Sequence, residues 1–497
     1  MELLSPAGNV EKLEYAYAYG ADAAYIGLKN FSLRVKADNF YEDEYKRVVE
    51  LKEKYPGRRL HCALNISFHN DEIDRLIKEL PYFKSYPIDA FIVQDLGIVP
   101  ILQKNFPDAA LHLSTQASCM NREAVKMYKS LGFSRVVMGR EASLKEIAEI
   151  KDAVPDMEIE CFVHGAMCIA YAGRCLMSAY LNGRSAQEGF CSHTCRWDFD
   201  VMADGKMIGE MESAKDYPEN VRALAQSGFM SLREKKRPDE FFPIYEGDNF
   251  TAVLSSKDLC MVDHLDDLKK AGVDSLKIEG RMKSVYYVAL VTRAYRKALD
   301  ALDGKISGDE AEPFVEELYN ASHRPYATGF YYGRNDADVT VSGESGSAYK
   351  LCAEICGEVS ESDEKKILEK GRLLEERRKA EYDSLVPAAQ KAWDERAKNN
   401  PDSYLPSVKK ISGWRMFRLK ALNMIDEKSE LEYVTPDIAH EVLPRDSYIL
   451  VNPDTGEIYR WCCDGHPCVI YTSVPLDSNS LIRGKVDEEE LKTRGGR

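Results

Sequence analysis

Short apolar runs alternate with longer amphipathic segments along the first three hundred residues of the chain. The apolar runs read ELLSP, AAYIGL, RLHCALNI, DAFIVQD, ALHLSTQ, SRVVMGR and EIECFVHG. The segments between them, such as NREAVKMYKSLG and SLKEIAEIKDA, repeat apolar residues at every third or fourth position, which indicates helices. This alternation predicts a parallel sheet with helices outside it.

The pattern resumes after about residue 250, with TAVLSSKDL, a helix at 263–271, SLKIEG and a long helix at 284–303. Eight or nine strand candidates therefore follow one another over the first 300 residues. That number favours an α/β fold of the (β/α)8 type, a TIM-like barrel, over an open doubly wound sheet. We expect the barrel to span residues 1–345 and to carry an inserted cysteine-rich lobe at about 160–250.

In such barrels the chemistry lies on the loops after the carboxyl ends of the strands. The polar residues that follow the predicted strands are candidates for this face: Ser5, Asn65, Gln94, Asp95, Ser114, Gln116, Arg140, Glu141, His164, Lys257 and Glu279. Within this set, His164, Lys257 and Glu279 are the candidate catalytic residues. A cap or turn role explains any one of them equally well, and Asn121 and Ser143 have the positions of helix N-caps.

The alternation of apolar runs and amphipathic segments ends at about residue 345. Residues 346–404 include a highly charged, helix-forming stretch at 360–400, which indicates a solvated helical insertion or linker. Short alternating runs at 405–485, with Asp454-Thr455-Gly456 at a hairpin turn, predict a small β-barrel domain. If residues 350–358 form its first strand, the helical stretch is an insertion; residues 486–497 are expected to be a poorly ordered tail.

Charge limits the classes of partner. With 67 Lys and Arg against 82 Asp and Glu, the net charge of −15 disfavours indiscriminate adhesion to nucleic acid or to anionic membranes. A nucleic-acid substrate therefore needs a local basic surface, for which the arginines among residues 174–196 and the basic run at 233–237 are candidates. The first residues do not have a secretory signal pattern, and no apolar run reaches the length of a membrane span, so we expect a cytoplasmic protein without a membrane partner.

Four of the thirteen cysteines lie close together, at Cys168, Cys175, Cys191 and Cys195. Reducing conditions in the cytoplasm argue against disulfides. Zinc binding is one alternative, although the stretch contains a CxxxC and no CxxC, the more usual spacing of zinc ligands. Four thiolates in a glycine-containing loop after a strand favour an iron-sulfur cluster, with zinc or unligated core cysteines as the remaining alternatives.

The stretch ECFVHGAMCIAYAGRCLMSAYLNGRSAQEGFCSHTCRW closely resembles the signature of the collagenase-like peptidase family, the peptidases of unknown catalytic type. Further blocks resemble the same family, namely ELLSPAGNVEKLEYAYAYGADAAYIG, FSLRVKADNF, SSKDL, SLKIEGRMKSVYYVA and SHRPYATGF. The likeness covers residues 1 to about 335 and is greatest to the branch that makes 5-hydroxyuridine at the wobble position of tRNA. Relatives act on a ribosomal RNA cytidine or on ubiquinone.

This resemblance implies an iron-sulfur protein whose [4Fe-4S] cluster is bound by Cys168, Cys175, Cys191 and Cys195, with Cys260 as an alternative fourth ligand. It also implies tRNA as the partner and prephenate as a co-substrate. A small dianionic acid needs basic partners on the barrel face, for which the candidates are Arg34, Arg140, Lys257, Lys277 and Arg281. The charged stretch at 360–400 departs from the tRNA branch, in which a β-barrel follows the SHRPYATGF block directly.

Two other classes of function compete with RNA hydroxylation. Proteolysis, which the family's name asserts, needs a nucleophile with a base or a metal with an activated water. The sequence contains neither HExxH nor GxSxG, and only Cys168 with His164 imitates a thiol protease dyad. A noncatalytic RNA-binding module is the third class.

Overall fold

The computed structural model describes residues 1–28, 31–32, 40–41, 43–168, 170, 256–333, 347–399, 405–426 and 429–486, together with the backbone of five short strands between residues 202 and 253. The chain divides into two compact units between Ser347 and Ala348. Among the described residues, every helix is too short or too polar to cross a lipid bilayer.

The first unit contains fifteen strands in the described part of the chain, and those of the barrel are mostly buried. Its strands are β1 Glu2–Pro6, β2 Ala23–Ile26, β3 Arg59–Leu64, β4 Ala90–Val93, β5 Ala110–Leu113, β6 Arg135–Val137, β7 Glu158–Ala166, β8 Met202–Ala203, β9 Lys206–Met207, β10 Met230–Arg233, β11 Phe241–Glu246, β12 Thr251–Val253, β13 Asp258–Cys260, β14 Ser275–Ile278 and β15 Tyr326–Ala327. Strands β1 to β7 pair in parallel in chain order, and β14 pairs in parallel with both β7 and β1. The eight strands close a barrel, which confirms the predicted fold.

Helices follow the barrel strands as the amphipathic pattern predicts. They are α1 Val10–Ala18, α2 Glu44–Lys54, α3 Asn70–Phe83, α4 Val99–Asn105, α5 Arg122–Ser130, α6 Leu144–Ala153, α7 Leu265–Lys270, α8 Val285–Leu302 and α9 Gly308–Glu317. The side chains of Asn121 and Ser143 cap α5 and α6 as expected, and Ser143 forms a capping box with Glu146. Helix α8 buries most of its surface, including Val288, because it packs against α1, α9 and β1.

One predicted barrel strand lies outside the barrel. TAVLSSKDL contributes β12 and β13, and β13 runs antiparallel to the end of β7, with Asp258 opposite Ala166 and Cys260 opposite His164. Its other edge pairs with β15. The barrel is already complete with β14 as its eighth strand, so β13 extends the sheet beyond the mouth of the barrel. Strands β10, β11 and β12 form a separate antiparallel sheet.

The second unit is an antiparallel half-barrel. Its elements are β16 Tyr349–Glu358, α10 Glu361–Ser384, α11 Pro387–Asn399, β17 Arg415–Ala421, β18 Ile425–Asp426, β19 Leu431–Val434, β20 Glu441–Leu443, β21 Tyr448–Val451, β22 Ile458–Tyr459, β23 Trp461–Cys462, β24 Cys468–Thr472 and β25 Leu481–Lys485. Eight of these strands form one sheet in the order β20-β19-β25-β16-β17-β24-β21-β22. Strand β16 therefore belongs to the domain, and the two charged helices are an insertion between neighbouring strands.

Candidate active site

A cavity lies at the carboxyl-terminal end of the barrel. Its lining residues belong to barrel strands or to the loops that follow them: Tyr25, Ala63, Asn65, Ile92, Ser114, Thr115, Gln116, Val137, Arg140, Phe162, Lys277, Glu279 and Arg281. The set includes five polar residues that the sequence pattern placed on this face, namely Asn65, Ser114, Gln116, Arg140 and Glu279. Strand closure brings them together although they are far apart in sequence.

Lys277 is a deeply buried cation of this cavity. Strand β14 directs its side chain into the barrel, where only 4% of the residue is exposed. Its Nζ donates a hydrogen bond of 2.7 Å to Oε1 of Glu160. The same Nζ lies 4.5 Å from the ring centre of Tyr25 and 5.5 Å from that of Phe162. A carboxylate and two aromatic faces thus hold the ammonium group at the floor of the cavity.

The two arginines of the cavity are also held in place. The guanidinium carbon of Arg140 lies 3.9 Å from the ring centre of Phe162, and its Nη2 donates to Glu279 over 3.4 Å. Arg281 is buried and donates from Nη1 and Nη2 to Oγ of Ser32, each over 3.2 Å. Because both planar groups are oriented before any ligand arrives, they are suited to bind a carboxylate or phosphate.

Among the described residues, the lining contains three cations, Arg140, Lys277 and Arg281, and one carboxylate, Glu279. Its net charge is therefore positive although the whole chain is acidic. Such a surface attracts a small anion, and the rings of Tyr25 and Phe162 offer apolar contacts beside the charges. The arrangement is suited to an acid that carries a ring.

A layer of polar side chains lies one step further into the barrel. Arg135 donates to Glu2, to Glu158 over 2.8 Å and to Glu160 over 3.0 Å. His61 and His112 meet edge to face in the same layer, with ring centres 4.8 Å apart. Four members of the layer are followed two residues later by a residue that lines the cavity, as the alternation of a strand requires: His61, His112, Arg135 and Glu160.

Burial and charge set the ionisation of this layer. Burial opposes ionisation of Glu2. The attraction of Arg135 and the other nearby cations together outweighs this effect and lowers the pKa of Glu2 to about 2. Burial likewise opposes ionisation of Glu160, and Lys277 and Arg135 hold its pKa below the ordinary value. Burial lowers the pKa of His61 to about 4, so its imidazole is neutral at pH 7.

His164, a candidate catalytic residue, is buried in β7 away from the cavity lining. Its Nδ1 lies 3.4 Å from the hydroxyl of Tyr295, and its Nε2 lies 3.3 Å from the hydroxyl of Tyr326. Burial lowers the pKa of His164 to about 3. Lys257, another candidate, precedes β13 and is also not among the lining residues, whereas Glu279 is.

Cys168 is exposed just beyond the carboxyl end of β7, the end of the barrel that carries the cavity. The carbonyl of the preceding Met167 accepts hydrogen bonds from Ser256 Oγ over 2.7 Å and from Arg324 Nη2 over 3.4 Å. Arg324 is in turn held by Asp258 through Nε, Nη2 and its backbone N–H. The SSKDL and SHRPYATGF blocks therefore fix the backbone where the cysteine-rich lobe begins.

Cys260 occupies a different environment. It lies opposite His164 on β13, and its Sγ is 3.9 Å from the hydroxyl of Tyr295. Burial raises the pKa of its thiol to about 11. His164 and Cys168 are four residues apart, a span of roughly 13 Å of extended chain. The remaining predicted ligands, Cys175, Cys191 and Cys195, and the predicted substrate-binding Arg34 lie outside the described residues.

The sequence interpretation did not select Tyr25 or Phe162, nor the polar layer with His61, His112 and Arg135. A usable signal was present, because HCAL, LHL and RVV each contain one polar residue in an otherwise apolar strand. In a barrel strand, alternate residues face the interior. Polar residues at those positions identify an interior polar layer.

The sequence model of the family described as "Peptidase family U32" matches residues 8–340 of this chain. The chain belongs to peptidase family U32. The U32 protein is similar to tRNA hydroxylation protein P of Escherichia coli (strain K12), with 39% identity over 340 residues that cover 66% of this chain and 74% of that relative. It is also similar to the 23S rRNA 5-hydroxycytidine C2501 synthase of that organism, with 34% identity over 68% of this chain and 46% of the relative.

Among solved structures, the U32 peptidase Mk0906 aligns with a TM-score of 0.28 and 16% identity, over 34% of this U32 protein and 69% of the other chain. The assignment of the barrel therefore rests on the strand pairing itself.

Proposed function

We propose that this U32 protein hydroxylates tRNA and forms 5-hydroxyuridine at the wobble position. One observation carries the proposal: a cationic cavity at the carboxyl-terminal end of a barrel that is similar in sequence to tRNA hydroxylation protein P. The cavity lies at the end of the barrel where enzymes of this architecture place their chemistry. The sequence similarity supports tRNA as the partner, and the acidic net charge implies that only a local surface contacts it.

We assign the cavity to a small carboxylate co-substrate, for which prephenate is our candidate. Prephenate combines two carboxylates with a six-membered ring, so it matches both features of the lining. Lys277, Arg140 and Arg281 supply the charge for the carboxylates, while Tyr25 and Phe162 flank the ring. Each cation donates a hydrogen bond to a partner in the protein, which orients it for the ligand.

We propose that Cys168, Cys175, Cys191 and Cys195 hold a [4Fe-4S] cluster, which supplies electron-transfer chemistry when it is bound. Cys168 fits this role because its thiol is exposed and the backbone before it is fixed by Ser256 and Arg324. Cys260 fits less well, because it packs against Tyr295 and is separated from Cys168 along the paired strands. Zinc bound by the same thiolates is the alternative cofactor.

The geometry gives little support to proteolysis. A thiol protease needs the imidazole of its histidine within hydrogen-bond reach of the nucleophile. In the described structure, both ring nitrogens of His164 face tyrosine hydroxyls and neither faces Cys168. A second RNA is a closer competitor, because the similarity to the 23S rRNA synthase covers 68% of the chain. We also propose that the protein acts in the cytoplasm.

Nucleoside analysis of a deletion strain tests the proposed function. Mass spectrometry of tRNA digests should show loss of 5-hydroxyuridine and its derivatives on deletion, with recovery from a plasmid carrying the wild-type gene. The Lys277→Met and Cys168→Ser variants should fail to restore it. Lys145→Met is a matched control, because Lys145 has a side chain that is 85% exposed on α6. Unchanged tRNA with loss of a modified ribosomal cytidine would assign the other RNA.

Metal analysis of anaerobically purified protein tests the cofactor. We expect about four iron and four sulfide per chain, with a brown colour. Stoichiometric zinc in colourless protein would assign zinc, and unmodified nucleosides with retained RNA binding would assign a noncatalytic module. Cleavage of a defined peptide by metal-free protein would support a peptidase.

A further inference from the structure

Three potential metal ligands meet inside the barrel, below the cavity. His61, His112 and Glu160 face inward from β3, β5 and β7, and one ligand atom of each lies within 4.8 Å of the others. All three residues are buried, with 1%, 3% and 0% of their surfaces exposed. They lie on barrel strands, whereas the predicted cysteine-rich lobe follows β7 in the sequence.

Two of these side chains have an unsatisfied nitrogen. The Nδ1 atoms of His61 and His112 are buried and have no hydrogen-bond partner among the described residues. Buried polar atoms of folded proteins nearly always have a partner, so two such atoms in neighbouring rings require an explanation. A neutral imidazole offers one nitrogen lone pair, and a metal ion satisfies it as well as a proton donor does.

We propose that His61, His112 and Glu160 bind one divalent first-row transition metal ion, of the class of Zn²⁺, Co²⁺ or Fe²⁺, within the barrel. Two imidazoles and one carboxylate are a ligand set that such ions accept, and water completes the coordination. The proposal is independent of the proposed RNA chemistry, because it uses neither the cysteines nor the cationic side chains of the cavity.

Binding requires a small contraction. Ligand atoms at 2.0 to 2.2 Å from one ion are at most about 4.4 Å apart and closer to 3.4 Å in a tetrahedral site. The largest separation between ligand atoms, 4.8 Å, must therefore decrease by about 1 Å. Small rotations about the side-chain bonds are enough to bring the atoms this much closer. The two histidine rings already meet edge to face, with their centres 4.8 Å apart.

The neighbouring cations limit the affinity without preventing binding. Oε1 of Glu160 accepts a hydrogen bond from Lys277 over 2.7 Å, and Oε2 accepts one from Arg135 over 3.0 Å. Each carboxylate oxygen has a second lone pair, so Glu160 can bind a metal while these donors orient it. Glu2 offsets part of the positive charge through its ion pair with Arg135. We therefore expect weaker binding than in a site of three unpaired ligands.

Cobalt provides the test, because its spectrum distinguishes the two kinds of site. Full-length protein stripped with a chelator is dialysed against Co²⁺, and bound metal per chain is measured by elemental analysis. Thiolate-bound cobalt in the cysteine-rich lobe gives intense near-ultraviolet charge-transfer bands, whereas imidazole and carboxylate ligands do not. We expect the His112→Leu and His61→Leu variants to bind one equivalent less than wild type while the thiolate bands stay unchanged.

The matched control is His264→Leu, because His264 lies outside the barrel interior with a side chain that is 38% exposed. It should bind the same amount of cobalt as wild type. Equal cobalt content in wild type, His112→Leu and His61→Leu would overturn the proposal. In that case the two rings are neutral core residues, and His112→Leu should also leave the melting temperature of the metal-free protein unchanged or raise it.

A measurement on unaltered protein covers the case in which the variants do not fold. X-ray absorption of the zinc-loaded wild type should show nitrogen and oxygen neighbours at about 2.0 Å with the outer-shell scattering of imidazole, in addition to any sulfur at about 2.3 Å. Spectra with sulfur neighbours alone, or with no bound zinc, would overturn the proposal. Neither the cobalt content nor the X-ray absorption spectrum depends on hydroxylated nucleosides. Failure of the metal-site proposal is therefore distinguishable from failure of the proposed function.

Discussion

Lys277 and Glu160 form an ion pair inside the barrel, with Nζ 2.7 Å from Oε1 and both side chains at most 5% exposed. The pair joins two layers of the interior, because Lys277 lines the cavity and Glu160 belongs to the polar layer below it. A charge buried at this depth needs a partner, and Lys277 helps to hold the pKa of Glu160 below its ordinary value against the effect of burial. Lys277 is therefore positioned by a residue that does not itself line the cavity.

Replacing Lys277 with methionine should abolish hydroxylation and weaken binding of a dicarboxylate by about tenfold or more, since a charge-assisted hydrogen bond is lost. The change also leaves Glu160 with Arg135 alone, which should lower the free energy of unfolding by about 3 kcal/mol. Nucleoside analysis, calorimetric titration with prephenate and urea unfolding measure the three effects.

The double variant Lys277→Met/Glu160→Gln separates stability from function. Removing both charges should restore most of the lost stability without restoring prephenate binding. Lys269→Met is the surface control, because Lys269 forms an ion pair with Asp303 while its side chain is 48% exposed. Prephenate binding that survives in the double variant would remove Lys277 from the proposed site.

The stability of the barrel should fall as the pH decreases below 6.5, because His164 is neutral in the folded state. Its pKa is lowered from 6.5 to about 3, so the unfolded chain binds a proton that the folded chain does not. The stabilisation is complete above pH 6.5 and is lost progressively as the pH falls towards 3. Between pH 6.5 and pH 5 the loss amounts to about 2 kcal/mol.

The His164→Gln variant should lack this component, since glutamine does not titrate but can still bond the hydroxyls of Tyr295 and Tyr326. Urea unfolding at pH 7.5, 6.5 and 5.0 in both proteins measures the difference. The same pH dependence in wild type and variant would assign the acid sensitivity to other groups.

Gly165→Ala should destabilise the barrel by more than 2 kcal/mol. Gly165 has a φ of 104°, and a Cβ there would lie 2.7 Å from the carbonyl oxygen of Glu279 and 2.9 Å from the hydroxyl of Tyr287. Thermal unfolding measures the effect. Gly304→Ala is matched in backbone conformation, with a φ of 71°, but its Cβ would meet no atom within 4 Å. A similar melting temperature for the two variants would show that the close approach to Glu279 is relaxed in solution.

Arg324→Ala should reduce the iron content of the purified protein. The substitution removes a donor to the carbonyl of Met167, next to Cys168, and leaves the buried carboxylate of Asp258 without its main partner. We expect iron per chain to fall at least by half and stability to fall by about 3 kcal/mol.

Arg324→Lys should restore part of the stability, because an ammonium group still pairs with Asp258 but cannot reproduce the forked geometry. Arg47→Ala is the control, since Arg47 forms an exposed ion pair with Glu14. Full iron content in Arg324→Ala would show that the lobe assembles without this contact.

The sequence alone determined the architecture of both units. Periodicity predicted the strands and helices of the barrel because helical and extended chains place their apolar residues at different spacings. The sequence also predicted the helix N-caps, because Asn121 and Ser143 cap their helices through hydrogen bonds with residues three positions away. The cysteine spacing proposed a metal-binding lobe, and that interpretation remains a prediction.

Only the tertiary structure decided which polar side chains meet. Lys277 and Glu160 are 117 residues apart, and their contact exists because β14 closes the barrel against β7. The same closure placed His61 beside His112, and it excluded TAVLSSKDL from the barrel because β14 had completed the ring. Side-chain alternation states which residues share a face, but the partners across the barrel depend on strand order and register, which no local pattern encodes.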